Sequence, residues 1–488
     1  MALYRENRIV PIGLMLFSLI LFFYNLDFYQ QPTHESHQTH IDRPVVESPL
    51  EARPLRVSPP HTDAQDKQNT HTTTPSTSTH TDTSTGKLTS DDVALLFKTG
   101  ASVLWRRLPI HLSTTFSPAR IHPNNTILYS DYPETIGSWH IIDILANSSS
   151  TVRQSDSFQP YLQQEDYENR QVYAESTSTN GDGNGPLGGW KLDKYKFLPL
   201  IQHAGVEKPN AKWYIYMEDD SYIFLPNLLR HLNDFNYRDP WYLGSLAWKH
   251  GDYFAHGGAG FALSRGAWEK SFGKDPNIID KFEQFTDVHG CGDHVLGHVL
   301  NEYGVSFGET HGDSRFTFGF NAEPHWSSWF TKANWCKPVY SWHHTHSKDV
   351  ARFYNLESSW DFQKSALKYR DIYNAFIKPY LRHRVEWWDN QSSQYDITSS
   401  NAPHAEPPTT ATSKETWLKS WQSADACEAA CLSWSECVQW AFYEDRCRMH
   451  DQVYLGSGYP IGDPRRQTSL MYTSGWLSER MDEWACDE

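Results

Sequence analysis

Between Trp213 and Leu229 the chain reads WYIYMEDDSYIFLPNLL: an apolar run stops at three consecutive carboxylates, Glu218, Asp219 and Asp220, and then resumes. Trp213 to Met217 has the aromatic and β-branched character of a buried strand, and Leu225 to Leu229 suits a helix, because proline is tolerated in a first turn. A strand that ends in acids and hands over to a helix is a unit of α/β architecture, whose ligands sit just beyond the carboxyl ends of strands. Glu218 and Asp220, one residue apart, can converge on a hard cation such as Mn²⁺ or Mg²⁺, while Asp219 points elsewhere; phosphate and water would complete such a shell. A solvated turn or a helix cap has the same local pattern.

The surrounding chain extends the α/β reading. Thr126 to Ser130 is a strand stopped by Asp131 and Pro133, Trp139 to Leu145 is a second, and Trp241 to Gly244 a third. Leu192 to His203 reads as a helix that Pro199 begins or kinks, after a Gly/Asn-rich loop from Thr177 to Gly189. Val295/Val299 and Leu296/Leu300 are i,i+4 apolar pairs that put Asp293 at the start of a helix.

Upstream, Ile9 to Leu26 is eighteen residues without a charge, preceded by Arg5 and Arg8. At about 1.5 Å per residue it spans a thin bilayer. The arginines predict a cytoplasmic tail over 1–8, a single-pass type II signal anchor over 9–26 and a lumenal remainder; a cleaved signal peptide is the alternative. Residues 27–87 lack apolar periodicity, and His71 to Thr85 has eleven Ser/Thr in fifteen, the composition of a disordered stem. A second break at 389–414, polar and proline-bearing, separates a main domain over 88–388 from a Cys-rich module over 415–488.

Seven cysteines, five of them after residue 426, fit an oxidising lumen. Asn124, Asn147 and Asn390 head N-glycosylation triplets that agree with it. A formal charge of −16 and the lack of any Lys/Arg block argue against a nucleic-acid partner.

Several ordered motifs together resemble the fringe-like and core-1-galactosyltransferase-like enzymes, glycosyltransferase family 31, in their fungal branch. The acidic run resembles that family's metal motif. ILYSD, Ile127 to Asp131, looks like its first nucleotide-sugar strand, and GWKLDKYKFLP, Gly189 to Pro199, resembles the fungal form. HGGAGFALS, His256 to Ser264, is similar to the GGAG stretch, GDHVLG, Gly292 to Gly297, to an acidic motif, and VYSWHHTH, Val339 to His346, to a late histidine motif.

The resemblance implies a GT-A-like α/β fold with a central, mostly parallel sheet. It implies an inverting transfer of a hexose or N-acetylhexosamine from a UDP-sugar to a 3-hydroxyl of a glycan or glycoprotein acceptor in the Golgi or endoplasmic reticulum. Asp293 would be the general base, and Glu218 and Asp220 with His343, or His344, the ligands of Mn²⁺ or Mg²⁺. Asp131, Lys191 and Asp219 would face the donor, and Gly257, Gly258 and Gly260 the acceptor. Glycines there also fit tight turns, with Ser264 capping the next helix.

Gly292 stands where the family commonly has an acid. It favours the alternative of a carbohydrate-binding or glycan-organising protein that has lost catalysis. His294 and His298 form a separate i,i+4 pair without the glutamate of a zinc hydrolase. Trp241, Trp248, Tyr253 and Trp326 could line a sugar cleft or simply pack.

Cys427-x₃-Cys431-x₅-Cys437-x₉-Cys447 resembles a reduced PAN or apple-like module. That resemblance suggests nested Cys427–Cys447 and Cys431–Cys437 bonds among three possible pairings, with Cys291 to Cys336 joining two parts of the main domain and Cys486 unassigned. The module would bind glycan or protein, or act as a structural cap.

Overall fold

The computed structural model describes residues 87–169, 188–308, 319–468 and 470–486. The tail and anchor, and the stem up to residue 86, lie outside the described residues, and among the described residues no helix is long and apolar enough to cross a membrane.

The chain enters on β1 (Val93–Lys98), VALLFK, buried along its whole length. It continues through α1 (Leu104–Ser113), β2 (Thr126–Ser130), β3 (Glu134–Ile136) and β4 (Trp139–Asp143). After the segment 170–187 come α2 (Asp193–Glu207), β5 (Trp213–Glu218), β6 (Tyr222–Ile223) and α3 (Leu225–Leu232). Strands β7 (Tyr242–Gly244), β8 (Leu246–Lys249), β9 (Asp252–Ala255) and β10 (Phe261–Ser264) follow, then α4 (Arg265–Lys270), α5 (Glu283–Val288) and α6 (Gly292–Glu302).

Seven strands form the central sheet in the order β3-β4-β2-β1-β5-β10-β7. Pairings β4/β2, β2/β1 and β1/β5 are parallel, whereas β3, β10 and β7 join antiparallel. The runs are apolar at consecutive positions because both faces are covered, as parallel sheets require. On one face Tyr214 and Tyr216 pack with Phe197, Leu200, Val295 and Val299 of α2 and α6. Trp213, Ile215 and Met217, pointing the other way, pack with Leu104 and Leu108 of α1 and Leu225 and Leu228 of α3. This is the mostly parallel α/β sheet expected from the resemblance. Strand β1, which the sequence reading passed over, lies at its centre.

Beyond it lie β11 (Phe320–Asn321), β12 (Ser341–Trp342) and α7 (Ser347–Ser359). A three-stranded sheet, β11-β12-β6, attaches this late segment to the residues just after the acidic run.

The C-terminal region contains β13 (Val385–Glu386), β14 (Trp388–Asp389), β15 (Tyr395–Thr398), α8 (Ala424–Ser433), β16 (Gln439–Tyr443), β17 (Arg446–His450), β18 (Ser457–Gly458) and β19 (Thr473–Trp476). Five of these strands form the sheet β13-β19-β16-β17-β15, and β14 pairs with β18. The stretch 389–414, expected as a linker, therefore supplies an edge strand, β15, whose Ile397 is buried against Cys447 and Met449. A shared core also joins the regions: Tyr222, Phe224 and Trp342 cluster with Val438, Val453, Trp476 and Met481.

Bonds Cys427–Cys447 and Cys431–Cys437 are nested as the resemblance suggested. Two other expectations need correction. Cys336 pairs with Cys486, not with Cys291, which is a free thiol. The indole N–H of Trp335 donates to the Trp484 carbonyl at 2.8 Å and so seats the chain end beside Cys336, whereas Cys291 lies at the start of α6, its sulfur 3.2 Å from Lys249 Nζ. Asn390 is fully buried: its amide donates to the carbonyls of Trp440 and Gly475, and its oxygen accepts from Ser392. It offers no glycosylation acceptor in the folded chain, while Asn124 and Asn147 are exposed.

Candidate active site

The three acids point three ways, and the fold dictates each direction. Side chains alternate along β5, so Glu218 shares the Tyr216 face toward α2 and α6, and Asp219 the opposite face toward α1. Asp220 lies in the turn after the strand.

Glu218 accepts from the Tyr216 hydroxyl at 2.9 Å and lies 3.2 Å from Lys98 Nζ. Asp219 accepts from the Thr99 hydroxyl at 2.5 Å and from Arg107 at 2.8 Å, and its backbone carbonyl accepts from His111 Nε2 at 2.9 Å. Burial raises the Asp219 carboxyl even with Arg107 beside it. With one oxygen accepting from Thr99 and the other from Arg107, Asp219 braces β5 against α1.

Asp220 faces the late histidines because β6 and β12 pair antiparallel, Trp342 opposite Tyr222. The Thr345 N–H then donates to the Asp220 carbonyl at 2.6 Å. This register brings His343 Nε2 to 3.4 Å from Asp220 Oδ1 and His344 Nδ1 to 3.6 Å from Oδ2. Among the described residues, Asp220, His343 and His344 are the group whose ligand atoms all fall within 4.8 Å of one another.

These residues fit a divalent cation. Asp220 Oδ1 is buried without a hydrogen-bond partner, and His343 donates through Nδ1 to the Ala322 carbonyl at 3.0 Å, leaving Nε2 as a lone-pair ligand. Burial alone would raise the Asp220 pKa, but the two imidazoles and Arg107 outweigh it and hold the carboxyl well below its ordinary range. Burial opposes charge on His343 too, yet Asp220 beside it raises its pKa. Glu218 lies outside this group, its carboxylate held by the Tyr216 hydroxyl and Lys98.

HGGAG binds the parts together. A Cβ on Gly257 would lie 3.3 Å from both Asp293 Cβ and Glu218 Oε1, and one on Gly258 only 2.2 Å from the His343 ring. Gly260 adopts φ +76°, where a side chain would be strained. Hydroxyls of Ser221 and Ser341 donate to the carbonyls of Gly258 and Ala259, pinning this loop to the acidic turn and to β12. Ser264 accepts from the Ala267 N–H and caps α4, as expected.

Asp293, half-buried in the first turn of α6, accepts from the Gly257 N–H and the His294 N–H, each at 2.8 Å. Its orientation is fixed, and each oxygen keeps a free lone pair. A Cβ on Gly292 would come within 2.4 Å of Phe197 and 2.8 Å of the Lys194 Cα. The departure from the family's acid at this position is therefore a consequence of α6 packing directly on α2.

Two buried lysines were missed by the sequence reading. Lys98, at the carboxyl end of β1, bonds Asp193 at 2.8 Å; Lys196 lies 3.0 Å from Asp193 and 3.3 Å from Asp131. Burial would strip both of charge, but the carboxylates outweigh it and raise both pKa values, while Asp193 falls to about 2. The signal was a lysine ending the apolar run VALLFK, a charge placed where ligand sites form. Asp131 also accepts from the Ala101 N–H at 2.8 Å and is buried beneath that loop. Lys191 is exposed on the turn before α2.

Residues 88–310 match a model of the Fringe-like family, a span of just under half the chain that includes the acidic run, HGGAG and Asp293 but ends before His343. No curated protein matches the chain. With the sheet and the convergence of these motifs, residues 88–310 are similar to the Fringe-like family.

Proposed function

We propose that the chain is an inverting, metal-dependent transferase that moves a hexose or N-acetylhexosamine from a UDP-sugar to a 3-hydroxyl of a glycan or glycoprotein. It would be held in the Golgi or endoplasmic reticulum membrane by the apolar run 9–26, with the domain in the lumen. The supporting observation is the Gly257-Gly258 dipeptide, which lies against Asp293 and Glu218 on one side and against His343, the neighbour of Asp220, on the other.

Asp220, His343 and His344 would hold Mn²⁺ or Mg²⁺, which when bound supplies positive charge for the departing diphosphate. Asp293 takes the proton of the acceptor hydroxyl at a carboxylate oxygen that Gly257 and the start of α6 have already oriented, and the freed oxygen attacks the anomeric carbon opposite the leaving group. Lys98 and Lys196 offset the acids around the donor end of the sheet. On the β8–β9 hairpin Trp248 and Tyr253 are directly cross-strand and both exposed, which suits stacking of an acceptor sugar. Because packing accounts for Gly292, that residue lends no weight to a catalytically lost protein.

The test uses the purified chain with Mn²⁺ and a panel of UDP-sugars and glycan acceptors, beside Asp293→Asn and Asp220→Asn. Transfer by the parent and its loss in both variants is expected. Equal rates in all three would reject these roles.

A further inference from the structure

Four imidazoles crowd one corner of the domain away from Asp220. His250 lies at the tip of the β8–β9 hairpin with φ +50°, His289 in the loop after α5, and His294 and His298 on α6. The rings of His250, His289 and His294 form a triangle with centroid separations of 5.3, 5.8 and 6.1 Å. Three imidazoles ligating one tetrahedral ion through nitrogens about 2 Å away have centroids roughly 5 Å apart.

The hydrogen bonds around this triangle are those that prepare imidazoles for metal. His294 Nε2 is 3.2 Å from Asp252 Oδ2, and His289 Nδ1 is 2.7 Å from the Phe285 carbonyl. Both partners are acceptors, so each nitrogen carries the hydrogen and leaves the other with a lone pair. His294 is 1% exposed, and its remaining nitrogen, Nδ1, is buried without a partner. An orphaned buried acceptor is costly, by about 1–3 kcal/mol, unless something meets it. Burial also lowers the pKa of His294 and keeps it neutral.

Phe285 braces the cluster: it stacks on His289 at 3.8 Å and on His298 at 4.2 Å, and His298 Nδ1 shares Asp252 at 2.9 Å.

We propose that His250, His289 and His294 form a second metal site, distinct from Asp220, His343 and His344, for an imidazole-seeking ion of the Zn²⁺ class, with Asp252 orienting His294. Its ring nitrogens are less gathered than the ligand atoms of the first group, and His250 is exposed at the hairpin tip. The chemistry separates the two sites, because three neutral imidazoles favour Zn²⁺, Cu²⁺ or Ni²⁺ over Mg²⁺ and Mn²⁺. Bound metal would staple the hairpin carrying Trp248 and Tyr253 to the turn of α6 that carries Asp293.

The experiment strips the full-length chain with chelator and titrates it with Zn²⁺ by calorimetry and with Co²⁺ by visible absorption. An Asp220→Asn/His343→Ala variant should still take one equivalent, with the intense Co²⁺ bands of tetrahedral coordination. His250→Asn, which retains a residue suited to positive φ, should weaken that equivalent at least tenfold, and Asp252→Asn should weaken it about 10- to 100-fold. No Zn²⁺ uptake by the Asp220→Asn/His343→Ala chain would overturn the site, as would unchanged affinity in a folded His250→Asn chain, with circular dichroism reporting folding.

Discussion

The cleft brings Asp220, Gly257, Gly258, Asp293 and His343 together from four stretches of chain without a covalent bond, whereas in the C-terminal module Cys427–Cys447 and Cys431–Cys437 close loops of 20 and 6 residues. The cleft relies on close backbone approach and compensated charge: a methyl group at Gly258 would strike His343, and burial opposes charge on Lys98 while Asp193 and Glu218 beside it raise its pKa. In the module, α8 is tied to β17 through Cys427 and Cys447, which restricts the unfolded chain. Damage to the cleft should therefore appear first in chemistry and damage to the module first in stability.

The largest expected effect breaks this comparison at the cleft. Asp293→Asn should lower kcat/KM about 10²- to 10⁴-fold with an unchanged melting temperature; a loss below threefold would remove Asp293 from the base role. On the other side, the double change Cys427→Ser/Cys447→Ser should cost about 2–5 kcal/mol in denaturant unfolding while the folded fraction keeps its specific activity. If turnover per folded molecule fell in parallel, the module would have to act on the chemistry directly.

Gly258→Ala should do a little of both. The clash with His343 predicts about 1–3 kcal/mol of destabilisation together with weaker Mn²⁺ binding by calorimetry. Parent-like Mn²⁺ affinity would show that the loop does not position His343.

A last test lies where the two regions share a core. Buried His325 packs against Trp342, Phe353 and Phe376, and burial lowers its pKa to about 4. The unfolded chain binds this proton more readily, near the ordinary value of about 6.5. Stability should therefore fall as pH drops from about 6.5 to about 4, by at most about 1.4 kcal/mol per pH unit from this residue. His325→Gln should flatten that slope in pH-dependent denaturation, and an unchanged slope would assign it to other groups.

Much of the cleft was legible because its signals are local. A strand ending in acids, a glycine pair and i,i+4 apolar pairs behind Asp293 each follow from short-range pattern. Strand β1 was not legible as such, since six residues bounded by polar chain carry no periodicity that separates a strand from a buried turn of helix. Lys98 and Lys196 escaped for a related reason: an isolated lysine looks solvated until the partners around it are known. The Cys336–Cys486 bond spans 150 residues, and no spacing rule operates over that distance.

The sequence by itself determined where chemistry collects along the chain: the acids after Met217, the glycines after His256, Asp293, the late histidines and the clustered cysteines. Only the tertiary structure decided which way each acid faces, that Glu218 answers Lys98 while Asp220 answers His343, and that Asn390 is sealed inside. Side-chain alternation is a local property of a strand, but the partner it meets is set by the register of β6 with β12 and by helices packed on either face. Lys98 and β12 come from more than a hundred residues away, and these contacts exist only once the sheet has formed.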